Sequence, residues 1–350
     1  TQAEIIGEGI QDFLSNEQKL EGAVKFIDDR PENKPFMLSI SFNLPHGAGT
    51  STMEMRETDD EIYRALYRDK EIPLPDNYIR KSDINNPKLP ETIHHAKDRQ
   101  VSYNWVDTPD GYKERTIRQM QAMTGIDRLI GELRETLKEQ KLDKNTVIIF
   151  TSDHGLFSGQ FGLGGKALCY EITTHVPMII YDPKAKRANQ KRTFDALIQT
   201  IDIAPTILTR ANILVPESYQ GKDLSSLLKQ EKESVREYLY TENLWSTSFG
   251  NPRCESVQDM EWKYIRYYKN ENPSATHQIA TAKSMKIPLR NLLYKVYDKQ
   301  MVLYRSFVES PLQGETAVHE ELFNLKSDPR ESTNLASDVR HSKVLEKMRS

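Results

Sequence analysis

Apolar positions at Leu20, Val24 and Ile27 recur at the spacing of one helical face, and Ser15 with Gln18 three residues on supplies a capping box for its start. Pro31 and Pro35 end that helix. The bulky run Phe36-Met37-Leu38-Ser39-Ile40-Ser41-Phe42 then predicts a buried strand, stopping at Asn43-Leu44-Pro45-His46-Gly47. Residues 47–110 hold few apolar runs, broken by Pro73, Pro75, Pro87 and Pro90, which predicts a long irregular excursion with one short helix near residues 61–68. The clearest periodicity is Ile117, Met120, Met123, Ile126, Ile130, Leu133 and Leu137, a long amphipathic helix. After a turn at Lys144-Asn145, Thr146-Val147-Ile148-Ile149-Phe150-Thr151 is a continuous apolar strand of the parallel-sheet kind.

Val176-Pro177-Met178-Ile179-Ile180-Tyr181 predicts another strand, and residues 194–201 lead into a helix opening at Asp202-Ile203-Ala204-Pro205, with proline in its first turn. Strand, helix, strand, glycine-rich turn and strand in alternation predict an α/β fold with a mostly parallel central sheet and helices on both faces. Beyond Lys229 the pattern shortens. Residues 238–241, 263–268, 301–307 and 320–325 read as short alternating strands, and a terminal helix spans residues 339–348. The expected organisation is an α/β domain over residues 1–229, followed by a smaller C-terminal antiparallel α+β subdomain over residues 230–350.

Composition narrows the function classes. The 350 residues carry 48 Lys plus Arg against 51 Asp plus Glu, a net charge of −3, which gives no basic footprint for nucleic acid and no acidic tail. Mean hydropathy is −0.67, yet the chain is long enough for a large core. Two cysteines, Cys169 and Cys254, exclude a disulfide-dense scaffold and a four-cysteine zinc module. No apolar run approaches a membrane span, and the start at Thr1-Gln2-Ala3-Glu4 shows neither Met nor a signal pattern, as expected of a processed or cut chain.

The chemistry concentrates after the strand at residues 146–151. Thr151-Ser152-Asp153-His154-Gly155 lies at its carboxyl end, where open α/β sheets bind ligands. Asp153 and His154 offer oxygen and nitrogen to a metal; the plainer alternative is a turn-capping aspartate and a packed histidine. Gly155, Gly159, Gly162, Gly164 and Gly165 place five of the chain's 16 glycines within eleven residues, a density that means positive φ or backbone pressed close to something. Lys166 leaves this loop as a cation for an anionic group, or as a solvated lysine. His46, also at a strand end, binds an oxyanion and protonates a leaving group, or packs as a capped core histidine. Glu171 reads as a structural partner and His175 as a residue within reach of the site. Cys169, between apolar neighbours, reads as packing, and Cys254 as part of a polar loop with no partner in view.

These residues resemble the formylglycine-dependent sulfatases of the alkaline phosphatase superfamily. The match runs through five ordered segments: residues 35–46 ending in Pro45-His46; Thr151-Ser152-Asp153-His154-Gly155; Gly165-Lys166 through Ile180; Ile201-Asp202-Ile203-Ala204-Pro205 with Gln220-Gly221-Lys222-Asp223-Leu224; and Glu321-Leu322-Phe323-Asn324-Leu325 with Asp328-Pro329-Arg330-Glu331. The resemblance implies a sulfuric ester hydrolase that binds Ca2+ or another divalent metal through Asp153 and His154. It implies His46 and Lys166 as catalytic and substrate-binding groups on the sulfate, with His46 the proton donor. His175 stands where the family usually has arginine, and is expected beside the substrate. The resemblance also implies a small sulfated substrate, a saccharide by the family's commonest role, and a periplasmic or extracellular location.

The chain departs from the family in lacking the Cys/Ser-x-Pro/Ala-x-Arg motif that is oxidised to formylglycine, the early aspartate pair, and the Gly-Lys-Trp-His-type segment. All three belong before Thr1. A formylglycine upstream of residue 1 and a formylglycine-generating enzyme are therefore expected of the full-length protein. A phosphoryl or phosphonyl hydrolase of the same superfamily, and a non-catalytic protein that binds sulfated glycans, remain the alternatives. Two geometric expectations follow: Asp153 and His154 converge on one site, and Lys166 and His46 share one cleft with their head groups within about 10 Å, near enough for one anion held by bonds of roughly 3 Å. Residues 270–320, longer than the family pattern, are expected to shape the pocket. By itself the chain is expected to be inert and poorly stable, with two buried strands short of a neighbour.

Overall fold

The computed structural model describes residues 2–8, 21–32, 34–42, 45, 61–83, 104–166, 168–185, 192–243, 253–268, 275–284, 286, 288, 314 and 316–350. They divide into two compact units: residues 1–80, 104–150 and 179–191 form the first, and residues 81–103, 151–178 and 192–350 the second. The capping box at Ser15 and Gln18, His46, and the strand expected at residues 301–307 lie outside the described residues, as does most of the 270–320 segment.

In the first unit, β1 (Gln2–Glu8) runs parallel to β2 (Phe36–Phe42) over seven pairs, from Gln2 opposite Phe36 to Glu8 opposite Phe42. β2 thus has a parallel neighbour within the chain, which corrects the expectation that it lacks one. It is also not buried on both faces. Leu38, Ile40 and Phe42 point one way into the core, while Met37 on the other face is exposed. α1 (Glu21–Asp29), α2 (Glu61–Ala65) and α3 (Pro109–Glu139) complete the larger elements of this unit. α3 begins as its sequence directs: Thr108 accepts the Gly111 N–H at 3.1 Å and Pro109 sits in the first turn. Its apolar stripe, Ala122, Ile126, Leu129 and Leu133, packs on Ala23 and Val24 of α1 and on the inward side chains of β2. β3 (Ile148–Thr151) pairs with β6 (Met178–Tyr181) and is half-buried rather than enclosed. Among the described residues β1–β2 and β3–β6 are two separate two-stranded sheets, not one continuous central sheet.

The second unit opens with a small antiparallel hairpin of β4 (Phe157–Ser158) and β5 (Gly164–Gly165), followed by α4 (Glu171–Thr174). α5 (Ile203–Arg210) and α6 (Ser225–Leu228) lead to a four-stranded antiparallel sheet of β7 (Leu239–Asn243), β8 (Cys254–Gln258), β9 (Trp262–Tyr267) and β10 (His319–Asn324), in the order β10-β9-β8-β7. α7 (Ala275–Ser284) and α8 (Ser342–Arg349) are its last helices. The antiparallel subdomain and terminal helix expected from sequence are present. The sequence reading misplaced β8: Cys254 is fully buried in a strand, not on a polar loop.

One face of this sheet supplies Cys254, Ile265, Tyr267 and Phe323 to a core shared with Phe157, Leu163, Leu168 and Tyr170. Another cluster joins Tyr264 and Leu322 to Leu345 and Met348 of α8. Asp202, fully buried, accepts backbone N–H groups from Gln199 and Lys222, each at 2.7 Å, and pairs with both terminal nitrogens of Arg236. A Cβ at Gly221 would stand 2.0 Å from the Ile201 carbonyl oxygen, so only glycine allows this approach.

Candidate functional site

Asp153 and His154 follow the last residue of β3. Gly155 then donates its N–H to the Thr173 carbonyl of α4 at 2.9 Å, and a Cβ on it would lie 2.0 Å from the Ile172 oxygen. Glycine is required here for close backbone approach, and Gly159, Gly162 and Gly165 adopt φ of 96°, 69° and 80°. The glycine density thus has both causes anticipated for it. The strand end is pinned to α4, and the hairpin turns back to present Lys166.

The side chains converge. His154 Nδ1 lies 3.0 Å from the Gly155 carbonyl, which can only accept, so Nδ1 carries the proton and Nε2 the lone pair. That lone pair faces Lys166 Nζ at 2.7 Å and lies 3.1 Å from Asp153 Oδ2. Asp153 is 81% exposed, and its Oδ1 accepts the His154 N–H at 3.0 Å. An ammonium, an imidazole nitrogen and a carboxylate are therefore clustered on one loop.

The arrangement fits part of a divalent metal site. Nitrogen and oxygen donors 3.1 Å apart suit two neighbouring positions around a hard cation whose ligands stand about 2.3–2.6 Å from it. The lysine ammonium shares the same lone pair and must yield it to a metal. Such ions take about six to eight oxygens. Among the described residues no group of three or more His, Cys, Asp or Glu is placed to hold a metal ion.

Behind this loop stands a buried charge cluster that sequence reasoning did not find. Lys263 of β9, 1% exposed, places Nζ 2.9 Å from Glu171 Oε1 and 3.2 Å from Glu331 Oε1. Glu331 Oε2 accepts the Glu171 N–H at 2.6 Å at the start of α4. Burial raises the Glu331 carboxyl to about 7, against the pull of the Lys263 ammonium and the Glu171 N–H. Burial also opposes charge on Glu171, but a hydrogen bond from His175 and the Lys263 ammonium outweigh it and hold that carboxyl at about 2. His175 is 77% exposed with Nδ1 3.1 Å from Glu171 Oε2, and this bond raises its imidazole above the ordinary value. Glu171 is thus a structural partner, and His175 meets it at the exposed edge of the cluster. Beside them the Tyr170 hydroxyl donates to buried Glu321 at 2.8 Å, as does that of Tyr267. Lys263 and Glu331 left one faint signal in the sequence: a lysine and a glutamate inside segments otherwise reading as sheet and tail. A separate groove of about 380 Å³ lies along β7–β9 and α8, lined by Tyr238, Tyr264 and Arg266 but by none of Asp153, His154 or Lys166.

Comparison with known proteins defines the class first. The fold matches that of a protein solved in complex with its substrate D-glucosamine-2-N,6-O-disulfate, at TM-score 0.64 and 18% identity, covering 94% of this chain and 66% of the other. It also matches a phosphonate monoester hydrolase from Silicibacter pomeroyi at TM-score 0.65 and 18% identity, covering 93% and 57%. Both likenesses show the α/β fold with its C-terminal antiparallel sheet. Residues 4–213 match the family model "Sulfatase", and residues 159–286 that of "N-sulphoglucosamine sulphohydrolase, C-terminal". The chain belongs to the sulfatase family. An arylsulfatase of Clostridium perfringens is 26% identical over 330 residues, 93% of this chain and 54% of that protein. The chain spans between 34% and 64% of the length of the curated relatives it matches.

Proposed function

We propose that this chain forms the sulfate-facing part of a sulfatase that hydrolyses sulfate esters of a small saccharide, of the sulfated glucosamine class. The observation that carries the proposal is the 2.7 Å approach of Lys166 Nζ to His154 Nε2 beside Asp153, on a loop inside the family match. The glucosamine class is supported by the second family description and by the sugar in the solved relative.

A sulfate monoester gains negative charge on its bridging oxygen as the S–O bond breaks. Lys166, at the end of a glycine-rich hairpin, turns its ammonium from His154 to a sulfate oxygen. His154, its Nδ1–H fixed on Gly155, keeps Nε2 aimed at the same space, and Asp153 adds a carboxylate oxygen there. A divalent cation of the Ca2+ type, held by Asp153 and His154 with further donors, supplies positive charge to the non-bridging oxygens when bound. His46 is the proposed proton donor to the departing alcohol and His175 a contact at the substrate's edge. The nucleophile in this reading is a formylglycine outside residues 1–350, installed by a formylglycine-generating enzyme. The location is periplasmic or extracellular; among the described residues no helix is long and apolar enough to cross a membrane.

The test is sulfate release from glucosamine 6-sulfate and from an aryl sulfate by the protein together with its native upstream sequence. Lys166→Ala is expected to lower kcat/KM about 100-fold or more, the scale of losing one charge-stabilising group. Phosphonate monoester turnover exceeding sulfate turnover would favour the other chemistry of this fold. Binding of the sulfated sugar without turnover would favour a lectin-like role.

A further inference from the structure

The chain's two cysteines are 85 residues apart in sequence and meet inside the second unit. Cys169 stands three residues beyond Lys166; Cys254 is the first residue of β8, opposite Asn243 of β7 and Tyr267 of β9. Both are fully buried and not joined in a disulfide in this structure, with Sγ atoms 3.7 Å apart. Phe157, Tyr170, Ile265 and Phe323 share their core. A disulfide needs the sulfurs at about 2.05 Å, so they must close by roughly 1.7 Å, within the reach of small side-chain rotations. Neither thiol is a ligand of the Asp153–His154 site, and no cluster of three metal-ligating groups surrounds them among the described residues.

The surroundings also favour reaction. The hydrogen bond from Cys254 is the largest influence on Cys169 and lowers its thiol pKa; burial opposes this, and the Lys263 ammonium adds to the lowering. A lowered thiol pKa favours the thiolate, the species that attacks a disulfide.

We propose that Cys169 and Cys254 are joined by a disulfide in the folded protein, formed by exchange with an external disulfide such as glutathione disulfide or the oxidised active site of a thiol–disulfide oxidoreductase. The Cys169 thiolate attacks one sulfur of the external disulfide, forming a mixed disulfide and releasing one external thiolate. The Cys254 thiolate then attacks Cys169 Sγ, forming the Sγ–Sγ bond and releasing the second thiolate. The two protons given up by the cysteines go to the two external thiolates. The chain is oxidised by two electrons and the external disulfide is reduced to two thiols. Since both sulfurs are buried once β8 is in place, the exchange occurs as the sheet assembles or transiently reopens.

The bond ties the residue just past the Lys166 loop to the sheet behind it, and restricts the unfolded chain by closing a long loop. The test needs no activity, so its outcome is independent of the sulfatase reading. The full chain is equilibrated with set ratios of reduced and oxidised glutathione, in native buffer and in concentrated urea, then acid-quenched, alkylated and mapped by mass spectrometry. The expected result is a peptide linking Cys169 to Cys254, with an equilibrium constant on the order of 30-fold or more larger in native buffer than in urea, as linkage requires of a bond that stabilises the fold. Cys254→Ser is expected to leave Cys169 as a free thiol or a glutathione adduct in both solvents. Equal constants in the two solvents, or a native wild-type chain whose cysteines are alkylated singly at every ratio, would overturn the proposal.

Discussion

Lys263 shows how far a single side chain can depart from what its neighbours in sequence suggest. Its ammonium is buried, held by Glu171 and Glu331, and its pKa rises because the two carboxylates outweigh the burial that opposes charge. The partners lie 92 and 68 positions away, so no local pattern announced them. Asp153, His154 and Lys166 were legible because their meaning is local: a strand end, a run of glycines, and a cation leaving the loop. The cluster's pH response follows from Glu331. Its folded pKa of about 7 lies above the ordinary 4.5, so the folded chain holds a proton that the unfolded chain has lost between those values. Its contribution therefore declines as pH rises from about 4.5 to 7, by a few kcal/mol at most. The groups facing it are Lys263, Glu171 and, through Lys263, Cys169. Glu331→Gln removes that titration, so its melting temperature relative to wild type should be higher at pH 8 than at pH 5. A difference that stays constant across this range, measured by calorimetry, would show that Glu331 is ionised throughout.

At the scale of elements, periodicity carried α3, and proline in the first turn carried α5. Strand β8 was invisible because Cys-Glu-Ser-Val-Gln looks solvated. Its Glu255 is buried by Arg266 and the Tyr268 hydroxyl, and its Ser256 by neighbouring strands. β1 was missed for a similar reason: a strand already paired residue for residue with β2 needs no pattern of its own. Gly155→Ala would drive a methyl into the Ile172 carbonyl and cost about 2–4 kcal/mol, the range of forced backbone shifts and special-position changes. The same change should weaken anion binding at Lys166 by shifting the loop. Chemical denaturation gives the first number, and titration with inorganic sulfate the second.

For the whole molecule, the sequence conveyed the fold class through ordered segments, but not its division. The boundary expected at residue 229/230 falls inside the second unit, whose core combines residues 151–178 with strands beyond 250. A fragment ending at residue 229 would keep the Lys166 loop yet lose Cys254, Ile265, Tyr267 and Phe323 from beneath it. It should lack a cooperative melting transition in near-ultraviolet circular dichroism.

The shared core of Phe157, Tyr170 and Phe323 has a further consequence, one of timing. Tyr170 leaves the ribosome 151 residues ahead of Glu321, the carboxylate that receives its hydroxyl. At bacterial or eukaryotic synthesis rates of about 5–20 residues per second, that interval is roughly 8–30 s. Through it an aromatic hairpin waits without the sheet that will cover it, long enough for a chaperone to bind or for two nascent chains on one messenger to meet. Chains arrested on the ribosome before β10 is translated should therefore remain protease-sensitive around residues 157–170, and become resistant only once the last strand is released from the exit tunnel.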